Sequence, residues 1–119
     1  MKEPSQRQLR VGQQVRQELM RMLKHGGFKH EALMDSEKIT VTEVSMSPDL
    51  KNAKAFVLYL GVNAMPPEIL KGLNDVAPHM QGKVSRLLGM RSTPKLWFAE
   101  DKAFLTGQHM NQVLSGLDK

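Results

Sequence analysis

Residues 39–60 read ITVTEVSMSPDLKNAKAFVLYL, and this stretch decides the fold. Ile39 to Met46 is rich in β-branched residues, which suit a pleated backbone with one packed face. Its apolar alternation changes parity between Val41 and Val44, so the spacing predicts a β-bulge near Glu43. Ser47-Pro48-Asp49 supplies turn residues, and Lys51 to Leu60 then resumes an extended pattern, so the two runs form a hairpin. The second run carries Phe56, Leu58 and Leu60 on one face and Ala55, Val57 and Tyr59 on the other. A strand apolar on both faces belongs inside a sheet or under cover on both sides.

Upstream of the hairpin, Gln6 to Lys24 has the period of a helix, with Val11, Val15, Leu19, Met22 and Leu23 as its buried stripe. Another face gathers Arg7, Arg10, Gln14, Gln17, Arg21 and Lys24, polar and almost wholly basic. Gly26-Gly27 supplies the stop. Residues 1–5 form a short polar tail expected to be flexible, and Phe28 to Lys38 reads as a loop with one turn near Glu31 to Met34.

Downstream, Ile69, Leu73, Val76, Met80, Val84 and Leu87 make a second helical stripe that passes through Pro78. Proline cannot donate to the carbonyl one turn earlier and disfavours helix at Ala77, so the chain is expected to kink over Val76, Ala77 and Pro78. If a new helix starts at Pro78, the amides of His79 and Met80 lack partners, and such an end attracts anions. Lys83 and Arg86 follow on the side of His79. Arg91-Ser92-Thr93-Pro94 then leads into a third strand, Lys95 to Glu100. Met110, Val113, Leu114 and Leu117 give a weak helical pattern in a short C-terminal tail.

The predicted order is α-β-β-α-(kink)-α-β, an α+β arrangement with a three-stranded sheet and its helices on one face. With 119 residues and no linker-like tract, the chain is expected to be a single domain over 1–119. Lys and Arg total 17 against 12 Asp and Glu, a formal charge of +5 that favours a polyanionic partner such as nucleic acid. The chain has no cysteine, which excludes disulfides and thiolate metal sites. Met1 to Gln8 lacks the apolar core of a signal peptide, and no apolar run has the length of a membrane span. These features predict a cytoplasmic protein.

Residues 39–55, from Ile39-Thr40-Val41-Thr42 through Ser47-Pro48-Asp49-Leu50 to Lys54-Ala55, resemble the hairpin of bacterial ribosome-binding factor A. Arg91-Ser92-Thr93-Pro94-Lys95-Leu96-Trp97-Phe98 resembles that family's Arg-x-x-Pro-x-Leu-x-Phe approach to its last strand. Arg10-Val11 on a basic helix is similar to the family's start, and the matches span nearly the whole chain in order. The resemblance implies a type II KH-like fold, no enzymatic activity and no cofactor. It implies binding of the immature small (30S) ribosomal subunit through 16S rRNA, assistance in late maturation and rRNA processing, and then dissociation. Assembly GTPases are candidate further partners, and the protein is expected to act as a monomer away from membranes. In that family the Gly-x-x-Gly loop of ordinary KH modules gives way to a helix–kink–helix that commonly carries Ala-x-Gly. The matching stretch here is Val76-Ala77-Pro78, and Gln81 falls where many members carry Arg.

Candidate RNA-binding residues are therefore Arg7, Arg10, Arg21 and Lys24 on the first helix. Lys71, His79, Gly82, Lys83, Arg86 and Arg91 join them on and after the kinked helix. Gly72 and Gly82 permit close backbone approach. A helix in any soluble protein has a solvated polar side, but the first helix gathers one sign of charge, whereas solvated faces intersperse both. Of Trp97 and Phe98, which point to opposite faces, one belongs to the core and the other is expected under the C-terminal segment. Glu100-Asp101 reads as a strand end with solvated acids. His25, His30, His79 and His109 have no metal-ligand spacing. The alternative reading is a general single-stranded RNA- or DNA-binding KH-like module not tied to ribosomes.

Overall fold

The computed structural model describes residues 3–102. The elements in order are α1 (Gln6–His25), two 3-10 turns (Glu31–Leu33 and Ser36–Lys38), β1 (Ile39–Met46), β2 (Asn52–Tyr59), α2 (Pro67–Leu88) and β3 (Lys95–Glu100). The predicted C-terminal helical tail, with Met110, Val113, Leu114 and Leu117, lies outside the described residues, as does His109.

α1 starts where Ser5 and Gln8 cap each other: Gln8 N–H donates to Ser5 Oγ at 3.1 Å, and Ser5 N–H to Gln8 Oε1 at 2.8 Å. Ser5 thus belongs to the helix start rather than to a tail. Val15, Leu19, Met22 and Leu23 are buried and Val11 is half-buried, so the expected stripe faces the core. Gly26, at φ +76°, ends the helix by donating its N–H to Met22 O.

The hairpin forms as its pattern requires. Val41 pairs with Val57 and Glu43 with Phe56, so Thr42 is the extra residue of a bulge. The sheet order is β1-β2-β3, with β1 antiparallel and β3 parallel to β2, which places β2 inside the sheet. α2 is the crossover that a parallel pair needs. Val41, Val44 and Met46, Ala53, Ala55 and Val57, and Leu96 and Phe98 form the face buried beneath the helices. Each large side chain removed from water there contributes roughly 1.5–3 kcal/mol before entropic costs.

Both sheet edges are closed by helix side chains rather than by more strands. On β1, Arg16 Nε donates to Val41 O at 2.8 Å, Gln8 Nε2 donates to Met46 O at 2.9 Å, and Met20 Sδ accepts from Val41 N–H at 3.1 Å. On β3, Asn74 both accepts from Phe98 N–H and donates to Phe98 O, while Gln81 accepts from Leu96 N–H at 2.8 Å. An edge whose polar groups are engaged this way no longer templates another strand.

Three expectations need correction. α2 runs unbroken from Pro67 to Leu88 with Pro78 inside it, so no second helix starts at Pro78. The helix begins at Pro67, where the Ile69 and Leu70 amides close onto Pro66 O, so His79 and Met80 are not at a helix start. Packing along the whole helix outweighs the hydrogen bond that proline removes. Second, Leu87 is 57% exposed, and Ala77 and Ser85 are buried instead. The contact line drifts along the helix and selects small residues at close approach. Gly72 shows this most directly, since a Cβ there would lie 3.1 Å from His30 Cε1 and 3.2 Å from Ala32 Cβ. Third, Glu100 and Asp101 are not simply solvated acids. Glu100 Oε2 accepts from Met65 N–H at 2.8 Å, and Asp101, only 8% exposed, accepts from the Thr42 hydroxyl at the bulge.

Candidate nucleic-acid interface

The helix layer divides the polar residues between an inner seam and an outer basic surface. α1 repeats Arg7, Arg10, Gln14, Gln17, Arg21 and Lys24 at spacings of three and four residues, and all six are exposed. On α2, Lys71, Pro78, His79, Lys83 and Arg86 are exposed, Val76 and Gly82 are half-buried, and Ala77 is buried. The outer sides of both helices therefore present basic side chains to solvent.

Two clefts mark the ends of the seam between α1 and α2. The first, of about 660 Å³, brings Arg7 and Gln14 of α1 against Arg91 and Gly89 beyond α2, with Asp49 of the hairpin turn on its border. Asp49 is held ionised below the ordinary carboxylate value, first by the Ser47 hydroxyl at 2.7 Å and then by the Lys51 amide at 3.0 Å. The second cleft, of about 590 Å³, places His79 and Lys83 of α2 opposite His25, Gly26-Gly27 and Lys29 at the end of α1. Sequence reasoning did not select His25 or Lys29. Their position on either side of the Gly26-Gly27 stop was the available signal, because a chain that turns there comes back over the neighbouring helix.

Not every basic residue is equally available to an anion. Arg21 Nη1 lies 3.3 Å from Glu18 Oε2, so the α1 face is not free of acid as its pattern suggested. Lys71 Nζ lies 3.4 Å from Asp75 Oδ2. Asp75 also accepts from His30: with Nδ1 taken by the Ala32 amide at 3.2 Å, Nε2 carries the ring hydrogen and donates at 3.0 Å. This bond, then Lys71, holds the Asp75 carboxyl below its usual value. Such exposed pairs are weak and can open to a phosphate at little cost. Arg10, Lys24, Lys83, Arg86 and Arg91 form no ion pair with the described residues. The Arg86 guanidinium lies beside Gly82, 3.7 Å from where a Cβ would stand.

The side of the sheet away from the helices differs in chemistry. Phe56 and Leu58 are half-buried there, and Trp97 is 36% exposed while Phe98 faces the core at 3%. Lys54 Nζ lies 5.1 Å from the Phe56 ring centroid, within cation–π range. Whether the C-terminal segment covers Trp97 lies outside the described residues. Among the described residues no group of three or more His, Cys, Asp or Glu could hold a metal, and no helix is long and apolar enough to cross a membrane.

A mixed three-stranded sheet with two helices on one face, in the order α-β-β-α-β, defines a KH-like domain, here with a basic helical side. The chain belongs to the ribosome-binding factor A family, whose model matches residues 7–114. It is 41% identical over 114 residues to ribosome-binding factor A of Paramagnetospirillum magneticum, covering 96% of this chain and 79% of that one. The Caulobacter vibrioides protein of the same name is 41% identical over 113 residues, covering 92% and 75%. Two solved relatives share the fold. The Thermotoga maritima solution structure of a protein described as a ribosome binding factor A matches with TM-score 0.64 and 21% identity over 86% of this chain and 93% of that one. The Thermus thermophilus crystal structure matches with TM-score 0.62 and 18% identity over 78% and 94%. A Thermus thermophilus ribosome binding factor A fitted into a cryo-EM map of a 30S complex gives TM-score 0.53 and 23% identity over 75% and 93%.

Proposed function

We propose that this protein is a non-enzymatic assembly factor that binds the immature small ribosomal subunit through 16S rRNA. It assists late maturation and rRNA processing and then dissociates. The observation that carries the reading is the basic outer surface of α1 and α2, from Arg7 and Arg91 at one end of the seam to Lys24, His79 and Lys83 at the other. Family membership and the 30S complex of the Thermus thermophilus relative support the small ribosomal subunit as the partner. A basic side almost without aromatics suits paired RNA, whose phosphates and 2′-hydroxyls are met across its surface rather than read base by base. The mechanism is occupancy: the surface holds one rRNA arrangement and excludes another until maturation completes.

Co-sedimentation with small subunits purified from cells during assembly tests this reading. The native protein is expected in the free small-subunit fractions and absent from translating ribosomes. Lys83→Glu with Arg86→Glu is expected to lower the bound fraction at least tenfold at fixed salt. Undiminished binding by the double variant would remove that part of α2 from the interface.

A further inference from the structure

The cleft between the end of α1 and the middle of α2 differs from two other clefts among the described residues in what lies beneath its charged rim. Its floor is made by Met22 and Met80, both buried (Met80 has no exposed surface), with Val76 and Phe28 half-buried beside them. His25 and Lys29 stand on one side of the mouth, and His79 and Lys83 on the other, all exposed. At Gly27, with φ +81°, a Cβ would meet nothing within 4 Å, so the loop leaves the mouth open. Asp75 is the acid on the rim, and its carboxylate is already engaged by His30 and Lys71. The cleft that holds Arg7 and Arg91 has no aromatic side chain in its lining. Neither has the groove between α1 and the β1 bulge, where Arg16 is tied to Val41 O.

We propose that this cleft takes one unstacked ribonucleotide, its base on Phe28 and Val76 at the edge of Met22 and its phosphate between Lys29, His79 and Lys83. The proposal rests on the RNA-binding reading above and gives it a specific subsite. A volume of about 590 Å³ falls in the range of small-molecule pockets and has room for one nucleotide. Bases in RNA loops and bulges are splayed out of the stack and received on aromatic side chains. The Met22 thioether is polarizable and adapts to purine or pyrimidine rings, so the pocket selects a nucleotide more strongly than a particular base. A free phosphate would satisfy the rim and leave the apolar floor wet. The combination of rim and floor therefore favours a nucleotide over an inorganic anion.

Titration of the intact protein with adenosine 5′-monophosphate, followed by NMR at Gly27, Phe28, Val76 and His79, tests the assignment, with adenosine and inorganic phosphate as separate arms. The nucleotide is expected to move all four sets of signals with a lower dissociation constant than either part alone. Lys29→Glu with Lys83→Glu is expected to weaken it at least tenfold. Phe28→Leu, which keeps an apolar side chain in the fold, is expected to weaken it roughly fivefold or more, the loss of one aromatic stack. No response at these residues, or equal responses to phosphate and nucleotide, would overturn the proposal. If subunit co-sedimentation persists in that case, the assembly-factor reading stands and only the pocket fails. Nucleotide binding without subunit binding would have the opposite consequence.

Discussion

At the scale of single residues, Gly12 carries an unusual share of the architecture. A Cβ at this position would stand 2.6 Å from Val44 O, a backbone atom that cannot rotate away. The glycine thus sets how closely α1 lies on β1, which in turn lets Gln8 and Arg16 reach the strand's outer carbonyls. Gly12→Ala is expected to lower unfolding stability by about 1–3 kcal/mol in urea titrations, the usual cost of forcing atoms into a packed contact. An unchanged midpoint would mean that the helix shifts freely. Asp75 offers a second residue-level test. Its carboxyl is held below 3.8 chiefly by His30, so the stability it contributes is present above that value and lost as pH falls through the lower, folded one. The midpoint difference between the native protein and Asp75→Asn should be present above about pH 4 and vanish on further acidification. The group is exposed, so the effect is small; a difference that persists at the lowest pH would assign it to packing instead.

At the scale of elements, α2 is the informative case. A proline in a helix interior costs about 3 kcal/mol relative to alanine when nothing else changes. Pro78 is exposed, so the cost is not offset by contacts of its own ring. Pro78→Ala should restore the bond to the Asn74 carbonyl and raise stability by up to about 3 kcal/mol, seen as a higher thermal midpoint with unchanged helical circular dichroism. A lowered midpoint would show that the core is built around the local geometry of Pro78. The hairpin, its bulge and the α1 stripe were legible in the sequence, because alternation and a period near four residues report directly which side chains are buried. The helix that continues through Pro78 was not, since its stability comes from contacts with β3 that are distant in sequence. The same limit hid the burial of Ala77 and Ser85, whose small size carries no hydropathy signal. It also hid the roles of Asn74 and Gln81, two turns apart on α2, which read as surface polar residues until β3 is placed beside them. For the candidate site, the charge pattern gave the two helix faces but not their meeting at the clefts, which depends on the turn at Gly26-Gly27.

At the scale of the whole molecule, the question is whether the helix layer acts as one surface. Arg7 and Lys24 lie near opposite ends of α1, about 26 Å apart at ~1.5 Å per residue. That separation exceeds the screening length of about 10 Å at 0.1 M salt, so charges at the two ends act on an RNA independently. Removing one cation from a phosphate should flatten the dependence of log affinity on log salt by roughly 0.7–0.9. Arg7→Gln with Arg91→Gln neutralises one end, and Lys24→Gln with Lys83→Gln neutralises the other. Neutral replacements are the right choice here, because charge reversal would add repulsion on top of the missing attraction. Measured on small subunits across a salt series, each pair should reduce the slope by about 1.5, and the quadruple variant by the sum of the two. A quadruple variant no flatter than one pair alone would confine the RNA to a single end of the seam. Full additivity would require an RNA surface that runs the length of α1 and contacts α2 at both clefts.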